Sequence, residues 1–148
     1  MAGYVTKSAS YIYDSFTAAE ELANGVFAEV DDGEIKALTA AGTMVAVVEE
    51  KTTLNGKEAV VIKVIAEGDN ELYFVENAWD VNDGGAYTEA NYTVPVGALC
   101  RAHQPVKGDW LIMNVEAELY AALEVGDKVN PAAEGTIAKV IAEGDATD

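Results

Sequence analysis

Cysteine and histidine are nearly missing from this chain of 148 residues, which has one of each, Cys100 and His103. A single cysteine forms no internal disulfide. A structural zinc site takes three or four ligands, mostly thiolate or imidazole, and one of each falls short unless carboxylates supply the rest, so a structural zinc is not expected. Nucleophilic catalysis by Ser or Cys needs a histidine to take the proton. Cys100 and His103 are three positions apart, so on a strand they point to opposite faces. Both are therefore expected to be structural: Cys100 as a small buried hydrophobe in the run from Val96 to Cys100, and His103 as a satisfied core residue.

Positive charge is also scarce. Against 26 acidic residues there are 9 basic ones, giving a net charge of −17, and Arg101 is the sole arginine. Neutralising phosphates along DNA or RNA requires clustered Lys and Arg, so direct nucleic-acid binding is not expected, and an anionic membrane surface repels such a chain. No apolar run approaches the ~18 residues that would span a bilayer. The opening MAGYVTKSASYIYDSF lacks a basic segment followed by an apolar one, so synthesis in the cytoplasm without export is expected.

Phosphate-cradling loops of the form GxxxxGK[ST] do not occur. The segment from Asp80 to Gly84 resembles the oxygen-rich start of a calcium loop, but Gly84 stands where a ligand should be and no Glu occupies the twelfth position, so an ordinary turn is expected. The carboxylate pairs Glu20-Glu21, Asp31-Asp32 and Glu49-Glu50 fall at turns or strand ends and are expected to be solvated. No cofactor, metal ion or enzymatic activity is expected.

Half of the residues are hydrophobic, enough for one domain to bury a core without staples. Their arrangement is that of a β protein. From Thr43 to Asn77 three apolar, β-branched runs are separated by turn signals, Asn55-Gly56 and Gly68-Asp69-Asn70. This predicts a three-stranded antiparallel meander over 44–52, 58–67 and 71–76. A hairpin precedes it, with strands over 25–30 and 34–38 about Asp31-Asp32-Gly33. Trp110 to Val115 is continuously apolar, which fits a strand covered on both faces, with Trp110 in the core. Residues 137–142 form the last strand. Helix is expected in two short pieces, at 18–23 with Thr17 as N-cap and at 116–124 with Leu119 and Leu123 stacked. The fold class is mainly β, a meander-rich barrel or two-sheet sandwich with one or two short helices.

Residues 1–17 differ from the rest. They hold Tyr4, Tyr11, Tyr13 and Phe16, and their only charges, Lys7 and Asp14, cancel, so the whole net charge belongs to 18–148. A neutral, tyrosine-rich opening before a single acidic β domain suits an N-terminal arm lying on its own domain or on a neighbour, because Tyr combines contact area with a hydrogen-bonding tip. A first strand around Tyr11-Ile12-Tyr13, packed at the domain edge, is the other reading. Residues 63–69 recur identically as 139–145, the mark of a weak internal duplication or of a common strand-plus-turn pattern.

The stretch VVEEKTTLNGKEAVVIKVI, followed by LYFVENAWDVND and by Gly-Asp turns in VKGDWLIM and LEVGDKV, resembles small virion structural proteins of tailed bacteriophages, capsid decoration or cement proteins above all. That resemblance implies a non-enzymatic protein on the outer head lattice, bracing it against internal pressure, with the major capsid protein as partner. It further implies a homo-oligomer, with a trimer as the leading state, and location in the virion. Tyr4, Tyr11, Tyr13 and Phe16 are the candidate contacts with a partner. As an alternative, Trp79 and Tyr87 would be stacking platforms of a carbohydrate-binding or tail-fibre module.

Overall fold

A computed structural model describes residues 3–7, 13–54, 56–68, 72–76 and 93–140, with 3–7 and 13 as backbone alone. The strands are β1 (Gly3–Lys7), β2 (Tyr13–Ala18), β3 (Leu22–Ala23), β4 (Phe27–Asp31), β5 (Glu34–Ala37), β6 (Val45–Leu54), β7 (Lys57–Ala66), β8 (Leu72–Val75), β9 (Thr93–Val94), β10 (Leu99–His103), β11 (Trp110–Asn114), β12 (Lys128–Pro131) and β13 (Ile137–Lys139). Among the described residues one α-helix, α1 (Ala117–Ala122), and a 3-10 turn at Ala133–Gly135 complete them. The protein is mainly β, as its turn spacing predicts.

Two layers form. One is a six-stranded sheet in the order β1-β11-β7-β6-β12-β13, and the other is a closed five-stranded barrel, β10-β2-β5-β4-β8. β3 and β9 add a two-stranded ribbon. The main core lies between the layers, where Val60, Ile62 and Val64 of β7, Leu111 and Met113 of β11 and Val48 of β6 meet Phe27 of β4 and Phe74 of β8. The two phenylalanine rings stand 5.1 Å apart. A second core fills the barrel with small side chains, among them Ala18, Ala28, Ala102 and Cys100, around Ile35 and Leu22. A five-stranded barrel has little internal volume, so Ala and Cys fit where larger residues would not.

Local chemistry explains the two long hairpins. Asp32 and Gly33 take φ of 55° and 81°, the pair of left-handed residues that a two-residue hairpin turn needs, and β4 pairs with β5 across them. β6 and β7 pair over their full length, from Leu54 opposite Lys57 to Val45 opposite Ala66, with two register shifts. The buried amide of Asn114 pins this hairpin's tip by donating to the carbonyls of Leu54 (3.0 Å), Glu58 (2.9 Å) and Lys57 (3.3 Å).

Two expectations need correction. The meander's third strand, β8, leaves β7 and pairs with β4 and β10 in the barrel. The other edge of β7 is occupied by β11, and the chain crosses between layers at Gly68, where a Cβ would come within 2.8 Å of Leu72 and 3.0 Å of the Met44 nitrogen. The helix expected at 18–23 is not formed either. Ala18 ends β2 and Leu22 lies in β3, both buried in the barrel core, and burial of two apolar side chains outweighs the helix propensity of a six-residue segment. The second expected helix is α1, where Leu119 is partly buried and the Lys51 ammonium lies 4.4 Å over the Tyr120 ring, and Leu123, which caps its C-terminus, is fully buried.

The two Gly-Asp turns are structural equivalents. In the first, the Val106 N–H donates to Asp109 Oδ2 (3.0 Å), the Asp109 N–H returns to the Val106 carbonyl, and Gly108 takes φ of 99°. In the second, the Glu124 N–H donates to Asp127 Oδ2 (2.9 Å), the Asp127 N–H returns to the Glu124 carbonyl, and Gly126 takes φ of 97°. Each turn docks by the same pair of backbone bonds, the first on Val64 of β7 and the second on Val48 of β6. Each then feeds a strand antiparallel to the one it docked on, β11 beside β7 and β12 beside β6. A local two-fold relation about the β6–β7 seam follows from this sequence pattern. Of the two copies of the repeat, 63–69 and 139–145, residues 69 and 141–145 lie outside the described residues.

Candidate functional site

The barrel presents two walls. On the inner wall Phe27, Phe74 and His103 face the six-stranded sheet. The outer wall is made by β2, the start of β10 and the start of β5. Thr17 of β2 stands in register between Leu99 of β10 and Glu34 of β5, an antiparallel neighbour on one side and a parallel one on the other. Partners in register share a face of a sheet. Their chain neighbours Ala18, Cys100 and Ile35 fill the barrel, so alternation turns Leu99, Thr17 and Glu34 outward.

This outer wall joins two sequence segments that carry little charge, residues 13–18 with Asp14 alone and residues 93–100 with none. The turn from Pro95 to Ala98 is fastened to β2, with the Gly97 N–H donating to the Ala18 carbonyl and the Ala18 N–H to the Ala98 carbonyl, each at 2.9 Å. Gly97, at φ of 85°, permits the reversal. Val96 is 67% exposed on this fastened turn, and Leu99, the first residue of β10 after it, is 71% exposed. The β4–β5 turn borders it, since the Thr17 N–H donates to the Gly33 carbonyl (3.3 Å), bringing exposed Asp31, Asp32 and Glu34 alongside.

A cleft of about 560 Å³ opens beside the barrel, floored by Leu22, Val26, Ala37 and Leu38 and edged by Glu20, Glu21 and Glu134. Two nearby carboxylates act as caps for strand edges. Glu20 Oε2 accepts from the Ala37 N–H (2.8 Å), and Glu29 Oε1 accepts from the N–H (2.9 Å) and hydroxyl (3.0 Å) of Thr39. Gly135 closes one side by sitting directly on β4. A Cβ there would collide with Val26 and come within 2.7 Å of the Phe27 carbonyl, and its φ of 80° is one that L side chains rarely adopt. Among the described residues no group of three His, Cys, Asp or Glu is placed to hold a metal ion.

His103 is fully buried at the inner wall, its ring 5.9 Å from Phe74 and its Nε2 3.9 Å from Glu76 Oε1. Burial pushes its pKa below the ordinary imidazole value, and the carboxylates of Glu76 and Asp109 offset this only in part. Cys100 is buried on the opposite face of β10, inside the barrel. The two therefore form no dyad, as their spacing implies.

The residues proposed from sequence as contacts divide. Tyr4 lies in β1 opposite Ile112, and Tyr13 lies in β2 opposite His103. Phe16 is half-buried at the barrel mouth, its ring 5.0 Å from Tyr73, whose phenol is pushed up by burial and by the carboxylate of Asp14. Tyr11, Trp79 and Tyr87 lie outside the described residues, as does the segment from Asp80 to Gly84. Residues 3–7 and 13–17 thus run as strands of this chain's own two layers. Trp110 is partly buried with Leu54, Ala59, Val61 and Ile112 in a third small cluster. Val96 and Leu99 were not among the sequence candidates, although they belong to an uncharged run within an acidic chain.

No protein-family model, curated protein or solved structure matches this chain.

Proposed function

We propose that this chain is a non-enzymatic virion structural protein of a tailed bacteriophage, a capsid decoration protein that binds the outer head lattice through the major capsid protein and stabilises it. The observation that carries this reading is the outer barrel wall, where the neutral N-terminal segment and the uncharged run before Cys100 lie side by side on an otherwise acidic body. An adhesive protein needs a stiff scaffold and a weakly charged face. Two hydrophobic layers supply the first, and β2 with β10 supplies the second. The acidic remainder keeps unbound copies apart in solution.

The test is reconstitution. Heads assembled without this chain should release their DNA at a lower temperature than complete particles, and added purified protein should restore the difference. Heads equally stable with and without the chain would contradict the reading.

A further inference from the structure

The chemistry of the partner surface follows from what surrounds Val96 and Leu99. Exposed singly, aliphatic side chains on a protein surface need no explanation. Val96 lies with exposed Pro95 on a short turn and Leu99 opens the strand that follows it, and both hydrogen bonds that fasten the turn to β2 are backbone bonds of 2.9 Å. A rigid projection loses little conformational entropy when it is covered.

Its border is asymmetric in charge. Asp31, Asp32 and Glu34 run along the side held to Thr17. Among the described residues of the β4–β5 hairpin the only cation is Lys36, which lies opposite Glu29. On the β10 side, the Arg101 guanidinium donates to the backbone carbonyl of Glu76 (3.0 Å). An apolar centre with an acidic border is complementary to an apolar recess bordered by Lys or Arg. Two copies meeting with their β4–β5 turns in contact would bring Asp31, Asp32 and Glu34 of each together, which disfavours that arrangement.

We infer that the segment Pro95–Leu99, the turn and the first residue of β10, is the anchor of the head contact, and that it inserts into an apolar recess ringed by Lys and Arg on the major capsid protein. This deepens the decoration reading and rests on it. Val96 and Leu99 fill the recess and exclude water, while the carboxylates on the β4–β5 turn set orientation and speed encounter.

The experiment measures binding of the purified chain to empty heads assembled without it, by co-sedimentation at several ionic strengths. Four proteins are compared: the natural chain, the double variant Val96→Glu/Leu99→Glu, the variant Glu34→Lys, and the control Val125→Glu. Val125 is 65% exposed on the turn docked against β6, away from the barrel wall. The sites are exposed, so each variant should keep the melting temperature of the natural chain. The double variant should bind at least about tenfold more weakly. Glu34→Lys should also weaken binding and flatten its salt dependence, and Val125→Glu should leave both unchanged. Undiminished binding by the double variant would overturn the inference and leave the decoration reading standing. Tighter binding by Glu34→Lys would overturn the basic border. If the natural chain alone sediments as an oligomer that the double variant dissolves, the face serves a second copy and the inference falls. Failure of the natural chain to bind heads at all would overturn the decoration reading, and this inference with it.

Discussion

His103 shows how one buried residue ties stability to pH. Its imidazole is fully enclosed between β10 and Phe74, so the neutral form is favoured and its folded pKa lies below the unfolded value of about 6.5. A histidine that is harder to protonate when folded costs nothing above the unfolded pKa. As pH falls below about 6.5 the unfolded chain takes up the proton first, and stability declines until the folded group also titrates. Urea midpoints should therefore drop between pH 7.5 and pH 5.5, and His103→Gln should show a smaller drop over that interval. An unchanged slope in the variant would place the titration elsewhere. Its neighbours' roles were only partly legible. Alternation along a strand separates His103 from Cys100 without any structure, but that His103 faces Phe74 and Glu76 depends on β8 crossing into the barrel, which no local signal announces.

At the scale of elements, turn chemistry was the most legible part of the fold. Asp32-Gly33 supplies two left-handed residues and the hairpin forms there. The two Gly-Asp turns share residue types and bonds because each Asp side chain reaches back to the N–H three positions earlier. Their energetic weights should differ. Asp109 is fully buried, whereas the Asp127 side chain is 19% exposed and also reaches Lys139 at 3.4 Å. Losing the acceptor leaves the Val106 N–H half-buried and the Glu124 N–H in water. Asp109→Ala should accordingly cost about 1–3 kcal/mol, and Asp127→Ala no more than about 1 kcal/mol. Chemical denaturation of the two variants checks this, and equal costs would contradict it. Propensity failed where packing opposed it. The segment Ala18–Ala23 favours helix in isolation, but the narrow barrel needs Ala18 and Leu22 inside, and Thr17 serves the β2–β5 pairing in place of an N-cap. The parallel β2–β5 contact and the β2–β10 pair were illegible for the same reason. They join segments distant in sequence through a closure that only the assembled barrel defines.

At the scale of the molecule, an unequal distribution of charge links sequence to proposed role. The composition fixes −17 on the chain and the order of residues leaves the first 17 neutral, both visible without coordinates. Folding then adds what the order alone does not show, laying β2 against the uncharged run that ends in β10. The face so formed is set apart from the inner wall, where the barrel buries Phe27 and Phe74 against the six-stranded sheet. The inner wall buries Phe27 and Phe74, and the outer wall leaves Val96 and Leu99 exposed.

The central claim, that this chain coats a phage head, is tested most directly by counting. Quantitative mass spectrometry of purified particles from the source of this gene gives copies of this chain per copy of the major capsid protein. A ratio near one, or a simple fraction such as about one third, is the result expected of a lattice-wide decoration protein built on symmetric repeats. Absence of the chain from purified particles would contradict the account.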